Sequence, residues 1–439
     1  MSDPLSSTGA VSRRWFLKLG AAGLVASATA CTAGPGSSEP KSLNVGQWGT
    51  AQRADLYKSA LTLFQKDNAG VTSNLQFADL NSYNDRLTTQ AASKSLPDVL
   101  WMRDDRVGIY GSSGALLNLQ PYLGNTINTK ALTDTNIADG RLKNGLFALP
   151  THYVGQAVVT NAPLLQQRGI DYTKVKTWDD LAALSKELSD PANKIWGIGD
   201  PTTGTTQRHL QAWIRQRGEE LFTPDGNLGF TAGTLSDWLA FWVKLRGDQV
   251  VPPADVQVQA DNGGNTTNLL VTNQTAIGLV SSNALTQLQR LTKTPLQMYS
   301  VPELPGASKD WWFFPPILIS VAANARNPKL SVTLLDFFVN SVPAGKITRL
   351  DEGAPSSSAI RDALLPDLDP SEAAFVKQIS REMTYPARPL PVLPTTSAAI
   401  IKAQIDAGQQ VAFSRQSVSQ AVSDFMAAAN KIIMMKPAG

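Results

Sequence analysis

"LNVGQWGTAQRADLYKSALTLFQKD", residues 43–67, decides how the chain is built. Residues 43–48 alternate apolar and polar side chains with the period of a strand, and Gly49 ends the run. From Arg53 to Asp67 the apolar positions move to Leu56, Ala60, Leu63 and Phe64, a helical spacing. The switch then repeats: residues 71–77 alternate, residues 83–92 are helical, and "PDVLWM" at 97–102 is a short apolar strand opened by proline. Strand, helix, strand, helix, strand predicts a parallel sheet with crossover helices. Ligands of such sheets bind beyond the carboxyl ends of the strands. Three loops fall there: residues 48–50, 79–83 and 103–106.

The pattern continues with different partners. Residues 147–150 and 156–161 read as strands, and Thr177 with Asp180 three positions on forms a capping box that opens a helix. Asp179-Asp180 is therefore capping rather than catalysis. Trp238 and Trp242 stand four apart on one helical face, a core spacing more than a ligand platform. Residues 257–268, polar and containing Gly263-Gly264, read as a loop, residues 275–281 as a buried strand, and residues 331–342, 398–410 and 418–434 as amphipathic helices. A chain of 439 residues exceeds what one core usually supports and predicts two lobes. Its formal net charge of +3 is not gathered into a basic stripe, which argues against a nucleic-acid partner.

The start of the chain speaks to compartment. "SRRWFLK", residues 12–18, resembles a twin-arginine export signal, and the apolar run at 19–30 is shorter than the roughly 20 residues a membrane span needs. Cys31 is the single cysteine and directly follows Ala28-Thr29-Ala30. That segment resembles a bacterial lipobox, with Ala28 where Leu is preferred. The expectation is a signal peptide over residues 1–30 and a lipidated tether over 31–42, so that no thiol remains for disulfide, metal or redox chemistry. His152 and His209 are the only histidines and lack metal-ligand spacing. No nucleophile elbow, phosphate loop or dinucleotide fingerprint is present, so neither cofactor nor metal is expected.

In family order, Leu96-Pro97-Asp98-Val99, residues 114–119, Ala148-Leu149-Pro150, Asn161, Gly169-Ile170, residues 177–181, Ala276-Ile277-Gly278, Asn327-Pro328-Lys329 and Gly353-Ala354-Pro355 resemble the extracellular solute-binding proteins of ABC importers, in the sugar-binding branch of maltose-binding proteins. Trp311-Trp312-Phe313-Phe314 departs from that family, which has a glycine-rich loop there. The resemblance implies an α/β fold of the type II periplasmic-binding-protein kind, each lobe a mixed sheet flanked by helices with a ligand cleft between. It places lobe 1 at 43–153 and 284–321, lobe 2 at 154–283 and 322–439, and crossings near 151–155, 280–284 and 319–323. It implies a monomeric, non-enzymatic receptor that passes a carbohydrate to permease subunits.

Position then selects the candidate ligand residues. Trp48, Asn81, Tyr83 and Asp104 lie in the three loops, Trp48 facing either cleft or core and Asp104 either ligand or Arg103 and Arg106. His152 and Tyr153 fall at the first crossing, as ligand contacts or hinge residues, and Asn283 follows a strand. Trp311 and Trp312, if on a strand, would face opposite ways, one toward sugar and one into core. Asp200, Arg349 and Arg388 complete the set, against surface roles. A glycerophosphodiester or amino-sugar ligand is the nearest rival, and a secreted glycoside hydrolase the more distant one.

Overall fold

The computed structural model describes residues 41–204 and 207–435. The expected signal peptide, Cys31 and the tether up to residue 40 lie outside the described residues. None of the described helices is long and apolar enough to cross a membrane.

Two sheets organise the chain. The first runs in the spatial order Ala354–Pro355, Leu149–Tyr153, Pro316–Val321, Val99–Arg103, Ser42–Trp48, Thr72–Ala78. Its last three strands are parallel, as expected, while Pro316–Val321 is antiparallel to both neighbours. Val99–Arg103 is covered on both faces, which is why it reads as an unbroken apolar run. The helix Ala51–Asp67 is capped by Thr50 and buries Tyr57, Ala60, Leu61 and Phe64. Tyr57 and Phe338 meet Trp101 edge-on at 5.1 and 4.7 Å, tying Pro328–Asn340 to this lobe.

The second sheet runs Leu296–Tyr299, Gln156–Asn161, Thr275–Ser281, Trp196–Ile198. The capping box at Thr177 opens the helix Trp178–Leu188 as read from sequence. Trp178, Trp213, Trp238 and Trp242 pack ring against ring on one side, so Trp238 and Trp242 are core.

The lobe boundaries differ from expectation. Leu296–Tyr299 pairs with Gln156–Asn161, and Leu285 and Leu288 bury against the same lobe, so residues 284–299 belong to lobe 2. Pro328–Asn340 packs in lobe 1 instead of lobe 2. The first crossing stands between Tyr153 and Gln156. The second is not at 280–284 but runs from Tyr299 to Pro316, and the third follows Ala354–Pro355, because residues 319–323 lie at the end of a central strand. Residues 257–268 are not a loop either. They hold the end of the helix Ala254–Asn262 and a turn at Gly264–Thr267, since Ala and Gln favour helix until Gly263 ends it.

Candidate ligand-binding site

The three crossings frame a cavity of 520 Å³. Lobe 1 contributes Asn136, Asp139 and Tyr153, the second crossing Phe313 and Phe314, and the third Ser356 and Arg361. Residues 385–390 close the far side. That strap is fixed by Arg388, whose guanidinium donates to the carbonyls of Arg215, Gly218 and Glu219.

Tyr153 ends the strand Leu149–Tyr153, and its hydroxyl donates to the Asp139 carboxylate while accepting from Asn136 Nδ2 at 2.8 Å. Asn136 is held by its own capping box with Thr133. Burial pushes the Asp139 carboxyl up to about 7; the Asp104 charge adds to the rise and the Tyr153 hydroxyl opposes it. Near neutral pH this group therefore exists in both forms and can donate or accept. Arg361 also lines the cavity, with Nη1 spent on the carbonyls of Pro355 and Ser356 at 2.7 Å each.

Asp104 opens the helix Asp104–Ser112 at the carboxyl edge of the first sheet. Its partner is neither Arg103 nor Arg106. Arg208, on the helix Gln207–Gln216 of lobe 2, reaches across and donates to both carboxylate oxygens at 2.9 and 3.2 Å. This ion pair joins the two lobes.

The remaining expected residues are scattered. Trp48 is buried, its ring 5.6 Å from that of Tyr83, and the Tyr83 hydroxyl is used on the Trp101 carbonyl. Asn81 is exposed in a first helical turn. His152 points away from the cavity, with Nδ1 3.6 Å from Glu352, and burial lowers its imidazole to about 3, so it is neutral. Glu352 there accepts from Gln47 and Tyr57. Asp200 is buried in a lobe 2 ion pair with Arg246. Asn283 is half-buried before the helix Ala284–Leu291, and Arg349 is tied to Glu372 at 2.7 Å. Trp311 and Trp312 do not face opposite ways. They stack at 4.2 Å and 26°, because the segment makes one isolated bridge and no strand.

Asn136, Asp139, Phe313, Phe314 and Arg361 line the cavity and Arg208 links the lobes; the sequence reading marked Phe313-Phe314 only as a departure from the family and singled out none of the others as ligand residues. The Thr133-to-Asn136 capping box was the one local signal available.

Residues 49–342 match the family model described as Bacterial extracellular solute-binding protein. A putative ABC transporter periplasmic-binding protein, YcjN of Escherichia coli (strain K12), is 23% identical over 192 residues, 40% of this chain and 42% of that protein. The chain thus spans less than half the length of this curated relative. Among solved structures, an extracellular solute-binding protein family 1 member from Alicyclobacillus acidocaldarius aligns with a TM-score of 0.74 at 24% identity, covering 89% of this chain and 98% of that one. The ABC substrate-binding protein Lmo0181 of Listeria monocytogenes, solved with cycloalternan, aligns with a TM-score of 0.74 at 18% identity over 90% and 99%.

Proposed function

The chain belongs to the bacterial extracellular solute-binding protein family, and from that premise we propose that it captures a carbohydrate in the cavity at the crossings and delivers it to an ABC transporter permease. A twin-arginine signal would export it and a lipid on Cys31 would hold it at the outer face of the cytoplasmic membrane. The observation that carries the ligand class is the lining itself. The half-exposed Phe314 offers an apolar face for pyranose C–H groups, while the half-exposed Asp139 carboxyl, held in place by the Tyr153 hydroxyl that Asn136 in turn supports, is suited to sugar hydroxyls. The cavity volume also falls within the roughly 300–1,000 Å³ usual for small-ligand sites.

A phosphodiester ligand is less well supported. The Arg388 guanidinium in this lining already donates to three backbone carbonyls and Arg361 to two carbonyls and the Ser380 hydroxyl, so most of their donor capacity is used within the protein.

The test is a thermal-shift screen of neutral sugars, amino sugars and glycerophosphodiesters, followed by calorimetry on the best ligand. A sugar at 100 times its Kd adds about 2.7 kcal/mol of stability. Phe314→Ala should then weaken binding by about 1–3 kcal/mol. Stabilisation by glycerophosphodiesters alone, or hydrolysis of an oligosaccharide by the purified protein, would sink the reading.

A further inference from the structure

Lobe 2 carries a second, larger groove of 870 Å³, which shares only Tyr385 and Pro386 with the cavity at the crossings. One wall is the helix Pro370–Glu382, on which Ala374, Lys377, Gln378 and Arg381 recur at helical spacing and share a face. Small Ala374 leaves that face open in its first turns. Tyr172, Lys176 and the residues after Leu296–Tyr299 build the opposite wall.

Two aromatic stacks reach this groove. Tyr299 lies on Tyr172 with ring centroids 4.3 Å apart and planes 29° from parallel, and Trp312 lies on Trp311 at 4.2 Å. The inner rings of both stacks are buried, and the Trp311 indole N–H is anchored on Glu303 at 3.0 Å. Tyr299, half-exposed, is therefore held against a fixed partner and offers a pre-set apolar face at little entropic cost, while Trp312 is itself buried beneath Tyr385 at 5.0 Å, and the exposed Tyr385 ring is the apolar surface this second stack presents to the groove.

Charge makes the groove unlike the cavity. Lys176, Lys309, Lys377 and Arg381 line it and are exposed. Among the described residues none of the four forms an ion pair, whereas Lys186, Arg217, Arg246, Arg290 and Arg349 elsewhere in the lobe do. Glu303 is the one ionisable acid in the lining, so four cations face one carboxylate. Unpaired cations beside flat rings match a ligand that has both pyranose faces and negative charge.

We propose that this groove binds an acidic oligosaccharide, a chain of uronate units, whose rings rest on Tyr299 and Tyr385 and whose carboxylates pair with Lys377, Arg381, Lys176 and Lys309. Arg381 is suited to a bidentate carboxylate contact and the lysines to point-charge contacts. Single-stranded nucleic acid also combines bases with negative charge, but such sites track about 4–16 nucleotides along a groove. Two ring stacks within this volume fit a few sugar units better. The proposal does not depend on what fills the cavity at the crossings.

Isothermal titration of the full chain with an oligogalacturonate of about four units provides the test, the length being set by the groove volume. Binding should weaken severalfold between about 20 and 200 mM NaCl, because exposed charges are screened. Lys377→Ala with Arg381→Ala should weaken it by about tenfold or more, the scale of losing charge-assisted hydrogen bonds. The melt of that double variant, changed only at exposed positions, and its response to a neutral sugar should stay as in the parent. The proposal fails if oligogalacturonate gives no heat at millimolar concentration or binds the double variant like the parent. It also fails if a saturating neutral sugar displaces the oligogalacturonate, or if an oligothymidylate binds more tightly.

Discussion

Replacing Asp139 by Asn should stabilise the protein increasingly as pH rises. The parent carboxyl is held up to about 7 against an ordinary 3.8, chiefly by burial. The unfolded chain releases this proton near its ordinary value, whereas the folded protein keeps it until about 7. Across that window the folded state binds more protons, so this group's contribution to stability falls as pH climbs and is fully lost above the folded value. The rise from 3.8 to about 7, at about 1.36 kcal/mol per pH unit, sets a ceiling of about 4 kcal/mol. Asp139 is only half-buried, and solvent screening brings the expectation to about 2 kcal/mol. Asn cannot ionise and keeps an oxygen for the Tyr153 hydroxyl. Urea melts of both proteins between about pH 4 and pH 8 should therefore diverge, with the variant gaining about 2 kcal/mol relative to the parent over the range. Parallel stability curves, offset by a constant, would mean that Asp139 titrates normally and that its placement against Tyr153 is wrong.

Four further outcomes are expected. In a double-mutant cycle, Asp104→Asn and Arg208→Gln should be coupled by about 1–3 kcal/mol in ligand binding, since both groups hold the lobes together across the cleft; additive effects would remove that role. Trp311→Ala should cost about 3–5 kcal/mol in denaturant melts, as a buried ring with an anchored indole does, and an unchanged melt would contradict its place in the core. Gly353→Ala should destabilise by about 1–3 kcal/mol, because φ is +135° and a Cβ would meet the Tyr153 carbonyl oxygen at 2.4 Å; a neutral result in the same melts would refute this. Cys31→Ala should free the protein from membranes in fractionation after a salt wash, and continued sedimentation would discard the lipid anchor.

The parallel core of lobe 1 was legible because its signals are local. Residues 43–48 and 71–77 each alternate and are each followed by a helix whose apolar face is spaced for the same sheet, and residues 97–102 form a bounded apolar run that suits a strand covered on both faces. The crossings were not, because a strand's sheet is set by distant partners. Leu296–Tyr299 has four residues and would pair as well with either lobe on pattern alone; its seat beside Gln156–Asn161 comes from the packing of the helices around it. Asp104 could be found from its position after a central strand, but Arg208 lies 104 residues away in the chain and on the other lobe, and no spacing links them.

His152 and Tyr153 show how much more the sequence could have yielded. Adjacent residues of an extended strand point to opposite faces, so the two could not both have reached one ligand. Proline at 150 marks the strand and the pattern ends at Gly155, which leaves only the choice of face. The polarity of the surroundings decides it. His152 turns inward to Glu352, where burial removes its charge, and Tyr153 turns to Asp139, where its hydroxyl completes the polar edge of the cavity. The same reasoning failed for Trp311 and Trp312 because its premise was absent: Pro315 and Pro316 follow closely, proline supplies no ladder N–H, and the segment outside a strand is free to stack its two indoles. Alternation is a statement about ladders, and it transfers to a pair of residues only where the chain can make one.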